Sequence, residues 1–274
     1  MIEDRPHALR CMEIRGGNGA VSEVLSTPGL DGWVGSRPHH GDVAGGDVHY
    51  VSACGGGVVT RLVVADVSGH GEVVDGFARA LRGLVRKNIN RKSQTRMVGA
   101  LNAQFAAMAR LERFATAVVG TYLATTSELS ICNAGHPRPL WYRAALGRWE
   151  PLAAGEGNLP LGVDEGATFE QFAVTLGPGD LVLIYTDALV EAPGPDGRPL
   201  GETGLLDVAS ALEIGEPEAV GPALLDAVEA HRGGGPADDD VTLLVLRQNG
   251  RGRRRLGVGD KVEVYAKVFG LRGY

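Results

Sequence analysis

The 274-residue sequence contains no apolar run of membrane-spanning length. Its longest apolar stretches, around residues 62–67 and 181–185, are strand-sized, far short of the roughly 18–20 residues that a helical span needs. Cysteine is scarce: Cys11, Cys54 and Cys132 lie far apart with no CxxC pair, which argues against a disulfide framework and for a reducing compartment. The opening residues MIEDRPH show no basic stretch leading into an apolar one, so no secretory signal is read there. A cytoplasmic location is expected. There is no internal repeat and no G-x-y period, which excludes collagen. Disorder is excluded as well, because 44% of residues are hydrophobic, 22% are charged and the net charge is only −6.

Glycine, by contrast, is abundant. The 41 glycines are about twice ordinary usage, and they cluster between apolar runs as in a turn-rich globular protein. Residues 1–40 are punctuated by Gly16-Gly17-Asn18-Gly19 and Thr27-Pro28-Gly29 and read as an irregular segment leading into a domain at 41–248. Within that domain, residues 58–67 (VVTRLVVADV) predict a buried strand, and residues 72–90 switch to helical spacing through Val73, Val74, Phe77, Leu81, Leu84, Val85 and Asn88. A second helix is expected over 94–112. Strands are expected at 115–124, 128–133, 139–142, 168–176, 181–186 and 241–247, with helices at 203–213 and 217–232. The order does not alternate strand with helix, so an α+β fold with a mostly antiparallel sheet is predicted. Residues 249–274 form a basic extension carrying Arg251, Arg253, Arg254 and Arg255. On an acidic chain with no further basic face it reads as a solvated tail, not a nucleic-acid or membrane contact.

The chemical signal is a set of aspartates at strand ends. Asp47 follows Gly45-Gly46, Asp66 closes the strand 58–67, Asp187 closes LVLIYT, and Asp238-Asp239-Asp240 precede VTLLVLR. Any one of them is an ordinary cap or turn residue, as Asp180 in Pro-Gly-Asp is read to be. Gathered at one end of a sheet, however, they cannot all ionise without a cation. Oxygen-only ligation suits Mg²⁺ or Mn²⁺ and not zinc.

Seven segments in order carry a resemblance: GGD at 45–47, DVSGHG at 66–71, FATAV at 114–118, NAGHPRPL at 133–140, LPLG at 159–162, PGDLVLIYTD at 178–187 and DDVTLLV at 239–245. Together they resemble the metal-dependent serine/threonine protein phosphatases of type 2C, and most of all the bacterial SpoIIE/RsbU-like branch. The resemblance implies two antiparallel β-sheets sandwiched between helical layers, with a two-metal site at one end of the sheets. By position it makes Asp66 the bridging ligand, with Asp187 and Asp239 completing one site. Asp47 and the backbone carbonyl of Val67 belong to the other, and Asp240 stands just behind the ligands or is an alternative one. Two Mn²⁺ or Mg²⁺ ions would activate a water for in-line attack on phosphorus. The implied substrate is a phosphorylated protein of the anti-sigma-factor-antagonist type.

Two positions depart from the branch's pattern. Tyr50 stands where an acid is usual, and Ala188 where a glycine follows the aspartate, so the loop after Asp187 is expected to differ slightly. Asp66 and His70 are the candidate catalytic residues. His70 is a candidate proton donor and equally a loop residue bonded to backbone, whereas His136 is expected to anchor a turn. Trp33, Trp141 and Trp149 are read as packing residues. The alternative function is a phosphatase-fold regulator, weak or inactive in catalysis, that acts by binding a partner. Gly55-Gly56-Gly57 is rejected as a nucleotide loop because no Lys-Ser/Thr follows and a strand, not a helix, comes next. Any activating signal would come from a separate protein, a homodimer or the basic extension.

Overall fold

In the computed structural model, residues 7–10, 13–54, 57–69, 72–89, 91, 93–109, 113–152, 157–235 and 237–251 are described. His70, residues 110–112 of the expected second helix and most of the basic extension lie outside them.

Thirteen strands among the described residues form two sheets. The first in the chain are β1 (His7–Ala8), β2 (Ile14–Gly17), β3 (Val21–Thr27), β4 (Leu30–Arg37), β5 (Val48–Cys54) and β6 (Val59–Val67). Two helices follow, α1 (Glu72–Asn88) and α2 (Gln94–Ala109). Next come β7 (Ala115–Leu123), β8 (Glu128–Ala134), β9 (Leu140–Arg143), β10 (Arg148–Pro151), β11 (Phe172–Thr175) and β12 (Leu181–Tyr185). The helices α3 (Gly201–Ala211) and α4 (Pro217–His231) precede β13 (Val241–Gln248). One sheet runs β1-β3-β4-β13-β12-β9-β10 and the other β11-β8-β7-β6-β5-β2. Every pairing is antiparallel except the short parallel contact of β1 with β3.

Three apolar layers separate four layers of structure. Side-chain alternation along β6 shows how they arise: Val63, Ala65 and Val67 face α1 and α2, while Leu62 and Val64 face the other sheet. Buried on both faces, such a strand reads as an unbroken apolar run. Helix α1 presents Val74, Ala78, Leu81 and Val85 to the first layer, a spacing that keeps one stripe of a 3.6-residue helix inward. Helix α4 begins on Pro217, whose missing amide costs nothing in the first turn, and buries Val220, Leu224, Leu225 and Val228 against the seven-stranded sheet. Each such leucine contributes about 1.5–3 kcal/mol on burial. Gly221 lets α4 approach closely, since a Cβ there would fall 2.2 Å from the Trp33 ring. Trp33 and Trp149 lie in this layer, and Trp141 packs against the layer between the sheets. The architecture is therefore the expected α+β sandwich of two sheets between helical layers.

The expectation that residues 1–40 are irregular is corrected. Most of that stretch is strand, and β4 lies inside the seven-stranded sheet, paired with β3 on one side and β13 on the other. Its sequence LDGWVGSR hides this. The strand is buried on both faces up to Ser36, so no polar alternation marks it, and Gly32 and Gly35 occupy positions where neighbouring side chains press in. Strand β5 has the same character: Tyr50 faces the helices and Val51 and Ala53 face the other sheet.

Candidate metal centre

The two sheets bring five of the predicted acids to one end of the sandwich. Asp47 immediately precedes β5, Asp66 is the penultimate residue of β6, Asp187 opens a single 3₁₀ turn (Asp187–Leu189) after β12, and Asp239 and Asp240 precede β13. Asp47 and Asp66 thus come from the six-stranded sheet, and Asp187, Asp239 and Asp240 from the seven-stranded one.

The two sheets are tied together here by buried hydroxyls. The fully buried Thr186 donates its hydroxyl to Asp47 Oδ2 at 2.9 Å, and it accepts the Thr242 amide at 2.9 Å. The Thr242 hydroxyl bonds Asp47 as well. Asp240 fastens the loop before Asp47: its Oδ2 accepts the Gly46 amide at 2.5 Å and its Oδ1 the His39 amide at 2.6 Å. This contact explains the paired glycines. A Cβ on Gly45 would lie 2.2–2.3 Å from the Asp240 carboxylate, and one on Gly46 would lie 3.0 Å from the Val67 carbonyl oxygen. The same loop accepts an Asn18 side-chain bond at the Gly45 carbonyl, and Asn18 also donates to Asp75 on α1.

Electrostatics mark the same place. Burial and the neighbouring charges of Asp187, Asp239, Asp240 and Glu191 push the Asp66 carboxyl up to about 8. Asp47 is raised well above the usual carboxylate range by burial and by Asp66, and Asp187 is raised by burial and by Glu191 and Asp239. This crowding is costly without a counter-charge, and a hard divalent cation with all-oxygen ligation is the natural one. Among the described residues, no three His, Cys, Asp or Glu side chains close into a ready ligand group. Magnesium does not require one, since it keeps several waters and is held by one or two carboxylates. The donor set therefore fits hydrated Mg²⁺ or Mn²⁺.

Several sequence readings meet the structure here. Tyr50 packs in the core under α1 and α2. Ala188 sits buried in the 3₁₀ turn, where no positive φ is required, so a glycine is not needed there. His136 anchors a turn: its amide donates to Asn133 Oδ1, its carbonyl accepts the Asn133 amide group, and its Nδ1 lies 2.8 Å from the Thr116 hydroxyl. Burial lowers its pKa to about 3, so the ring is neutral. Asp180 holds a turn by accepting the amides of Gly177 and Ala144 and the Trp141 indole N–H. Glu191, Thr186 and Thr242 had no predicted role at the site. Glu191 sits four residues past Asp187, and its charge reaches Asp66 because the 3₁₀ turn folds the chain back. The spacing from Asp187 to Glu191 was the available signal.

The family model for stage II sporulation protein E, SpoIIE, matches residues 57–249, more than half of the chain. The chain belongs to the SpoIIE family. A solved structure of the RsbU and RsbW domains of Rv1364c from Mycobacterium tuberculosis is similar at 30% identity and a TM-score of 0.70, covering 85% of this chain and 63% of that one. The PP2C phosphatase domain of SpoIIE from Bacillus subtilis, with a fragment of its regulatory domain, matches at 17% identity and a TM-score of 0.68, covering 87% and 64%. This SpoIIE-family chain therefore spans a little under two thirds of the first two structures it matches. RsbX, solved in complex with magnesium, shares the fold at 17% identity and a TM-score of 0.61, covering 83% of this chain and 99% of its own. The fold is that of a PP2C-type phosphatase domain, and no described helix is long and apolar enough to cross a membrane.

Proposed function

We propose that this SpoIIE-family chain is a metal-dependent serine/threonine protein phosphatase acting on a phosphorylated regulatory protein of the anti-sigma-factor-antagonist type. The observation that carries the reading is the convergence of Asp47, Asp66, Asp187 and Asp239, from both sheets, into one crowded acidic end. Asp66, Asp187 and Asp239 would hold one hydrated divalent ion, directly or through its waters, and Asp47 with the Val67 carbonyl a second. Bound there, Mn²⁺ or Mg²⁺ ions supply a nucleophilic water and offset the charge of the phosphoryl group. The rest is the work of this chain. Thr186 and Thr242 orient the Asp47 carboxylate, Asp240 fixes the glycine loop that carries it, and Glu191 raises the negative potential that draws cations in. His136, neutral and turn-bound, holds the Asn133 turn.

The test is hydrolysis of p-nitrophenyl phosphate and of a phosphoserine peptide by metal-stripped protein, with Mn²⁺, Mg²⁺ or no addition. Turnover should require metal and fall at least about a hundredfold in Asp66→Ala and Asp187→Ala. A folded protein that binds metal and turns over neither substrate would replace this reading with that of a partner-binding regulator.

A further inference from the structure

The loop that follows Asp66 is held from one side by the two residues that precede β7. Ser68 uses all three of its polar groups there. Its amide donates to the Phe114 carbonyl at 3.0 Å, its hydroxyl accepts the Phe114 amide at 3.1 Å, and its carbonyl accepts Arg113 Nη1 at 3.0 Å. The first bond extends the β6–β7 ladder one step past its last pair, Val67 with Ala115. The other two depend on the serine hydroxyl and on the guanidinium. Gly69 makes room for the latter: it sits at φ 99°, and a Cβ there would fall 2.2 Å from Arg113 Nη1.

The consequence falls on Val67. Its carbonyl and the Ser68 amide belong to one planar trans peptide and point in opposite directions. With the amide turned to Phe114, the carbonyl is turned away from β7, toward the loop that carries Asp47. A Cβ on Gly46 would accordingly lie 3.0 Å from the Val67 oxygen. On that side the Val67 amide donates to the Gly46 carbonyl at 3.4 Å, which continues the β5–β6 ladder past Val48 and Ala65. In a regular antiparallel pair the Gly46 amide would return the bond to the Val67 carbonyl. Asp240 Oδ2 holds that amide instead, at 2.5 Å. The ladder thus stops one bond short, at the oxygen that faces the Asp47 loop.

Resting on the phosphatase reading above, we propose that Ser68 and Arg113 are positioning residues for the second ion. They brace the peptides on either side of Ser68 from the β7 side, so that the Val67 carbonyl stays aimed at the cation beside Asp47. Groups that orient a ligand in this way commonly set metal affinity by about ten- to a hundredfold.

The test counts ions as well as turnover. Metal-stripped protein is titrated with Mn²⁺, the free ion is followed by electron paramagnetic resonance, and p-nitrophenyl phosphate hydrolysis is measured over the same range. The parent should bind two ions. Ser68→Ala and Arg113→Met, checked for folding by circular dichroism, should each weaken one site about tenfold and leave the other within about threefold. Turnover lost at low Mn²⁺ should be regained as Mn²⁺ rises. Arg113→Lys keeps a donor on a stem of similar length and should recover part of the affinity. Parental affinity at both sites in the variants, or equal weakening of both sites, would overturn the brace and leave the phosphatase standing. Two ions bound by the parent without turnover, one of them weakened in the variants, would do the opposite. A parent that binds fewer than two ions overturns the brace whatever its activity.

Discussion

Replacing Asp66 by asparagine should make the metal-free protein more stable while removing its response to metal. Asp66 is pushed up to about 8 by burial and by Asp187, Asp239, Asp240 and Glu191, whereas an unfolded aspartate titrates near 3.8. The folded state therefore holds this proton more tightly than the unfolded chain does. Between about pH 4 and pH 8 it carries more protons than the unfolded chain, and stability falls as pH rises. At pH 7 the penalty from this one group is about 4 kcal/mol, taking roughly 1.4 kcal/mol for each pH unit above 3.8. Asparagine keeps the shape and removes the ionisable group. Urea denaturation in EDTA at pH 7 should show Asp66→Asn more stable than the parent by about 2–4 kcal/mol, with the gain halved near pH 5.5 and absent near pH 4. Millimolar Mn²⁺ should raise the melting temperature of the parent and leave that of the variant where it was. An Asp66→Asn protein that is less stable than the parent in EDTA at pH 7, or a gain indifferent to pH, would refute the crowded-acid account.

The loop that carries Asp47 supplies two further tests. Gly45→Ala would place a methyl group 2.2–2.3 Å from the Asp240 carboxylate, which must then leave the Gly46 and His39 amides. A loss of about 2–4 kcal/mol in urea denaturation and a clear drop in Mn²⁺ affinity by calorimetry are expected; a change under about 0.5 kcal/mol would contradict the clamp. Asp240→Ala leaves the same two amides without their acceptor but introduces no clash, and should cost about 1–3 kcal/mol. Its thermal melt in EDTA and in Mn²⁺ should drop by similar amounts if Asp240 fastens the loop, and mainly in Mn²⁺ if it binds the ion itself.

How much of this was legible in the sequence follows from which distances decide each feature. Helices α1, α2 and α4 were readable because a single apolar stripe at 3.6-residue spacing is a local signal. Strands β6, β12 and β13 were readable as apolar runs bounded by acids and turns. Strands β3, β4 and β5 were not; in β4, Gly32, Gly35 and Ser36 serve as packing residues, and only the partner strands make them buried. The acids at the site stood out by their shared position at strand ends. Thr186, Thr242 and Glu191 did not, since their roles depend on contacts across sheets or across a turn. The difference between Asp239 and Asp240 was equally hidden: adjacent acids look alike until one is found holding two amides.

The pairing of β4 with β13 joins residues 30–37 to residues 241–248, so strands separated by some two hundred positions lie side by side. Asp239 and Asp240 enter the site only when that pairing forms, and Asp240 is what fixes the loop of Asp47. Closing so long a loop is slow relative to local helix formation, although the added entropy grows only with the logarithm of its length. During synthesis, a ribosome-bound chain that has exposed Asp47 and Asp66 but not yet β13 has two of the clustered acids and no clamp. The acidic end is therefore complete only once β13 has paired with β4.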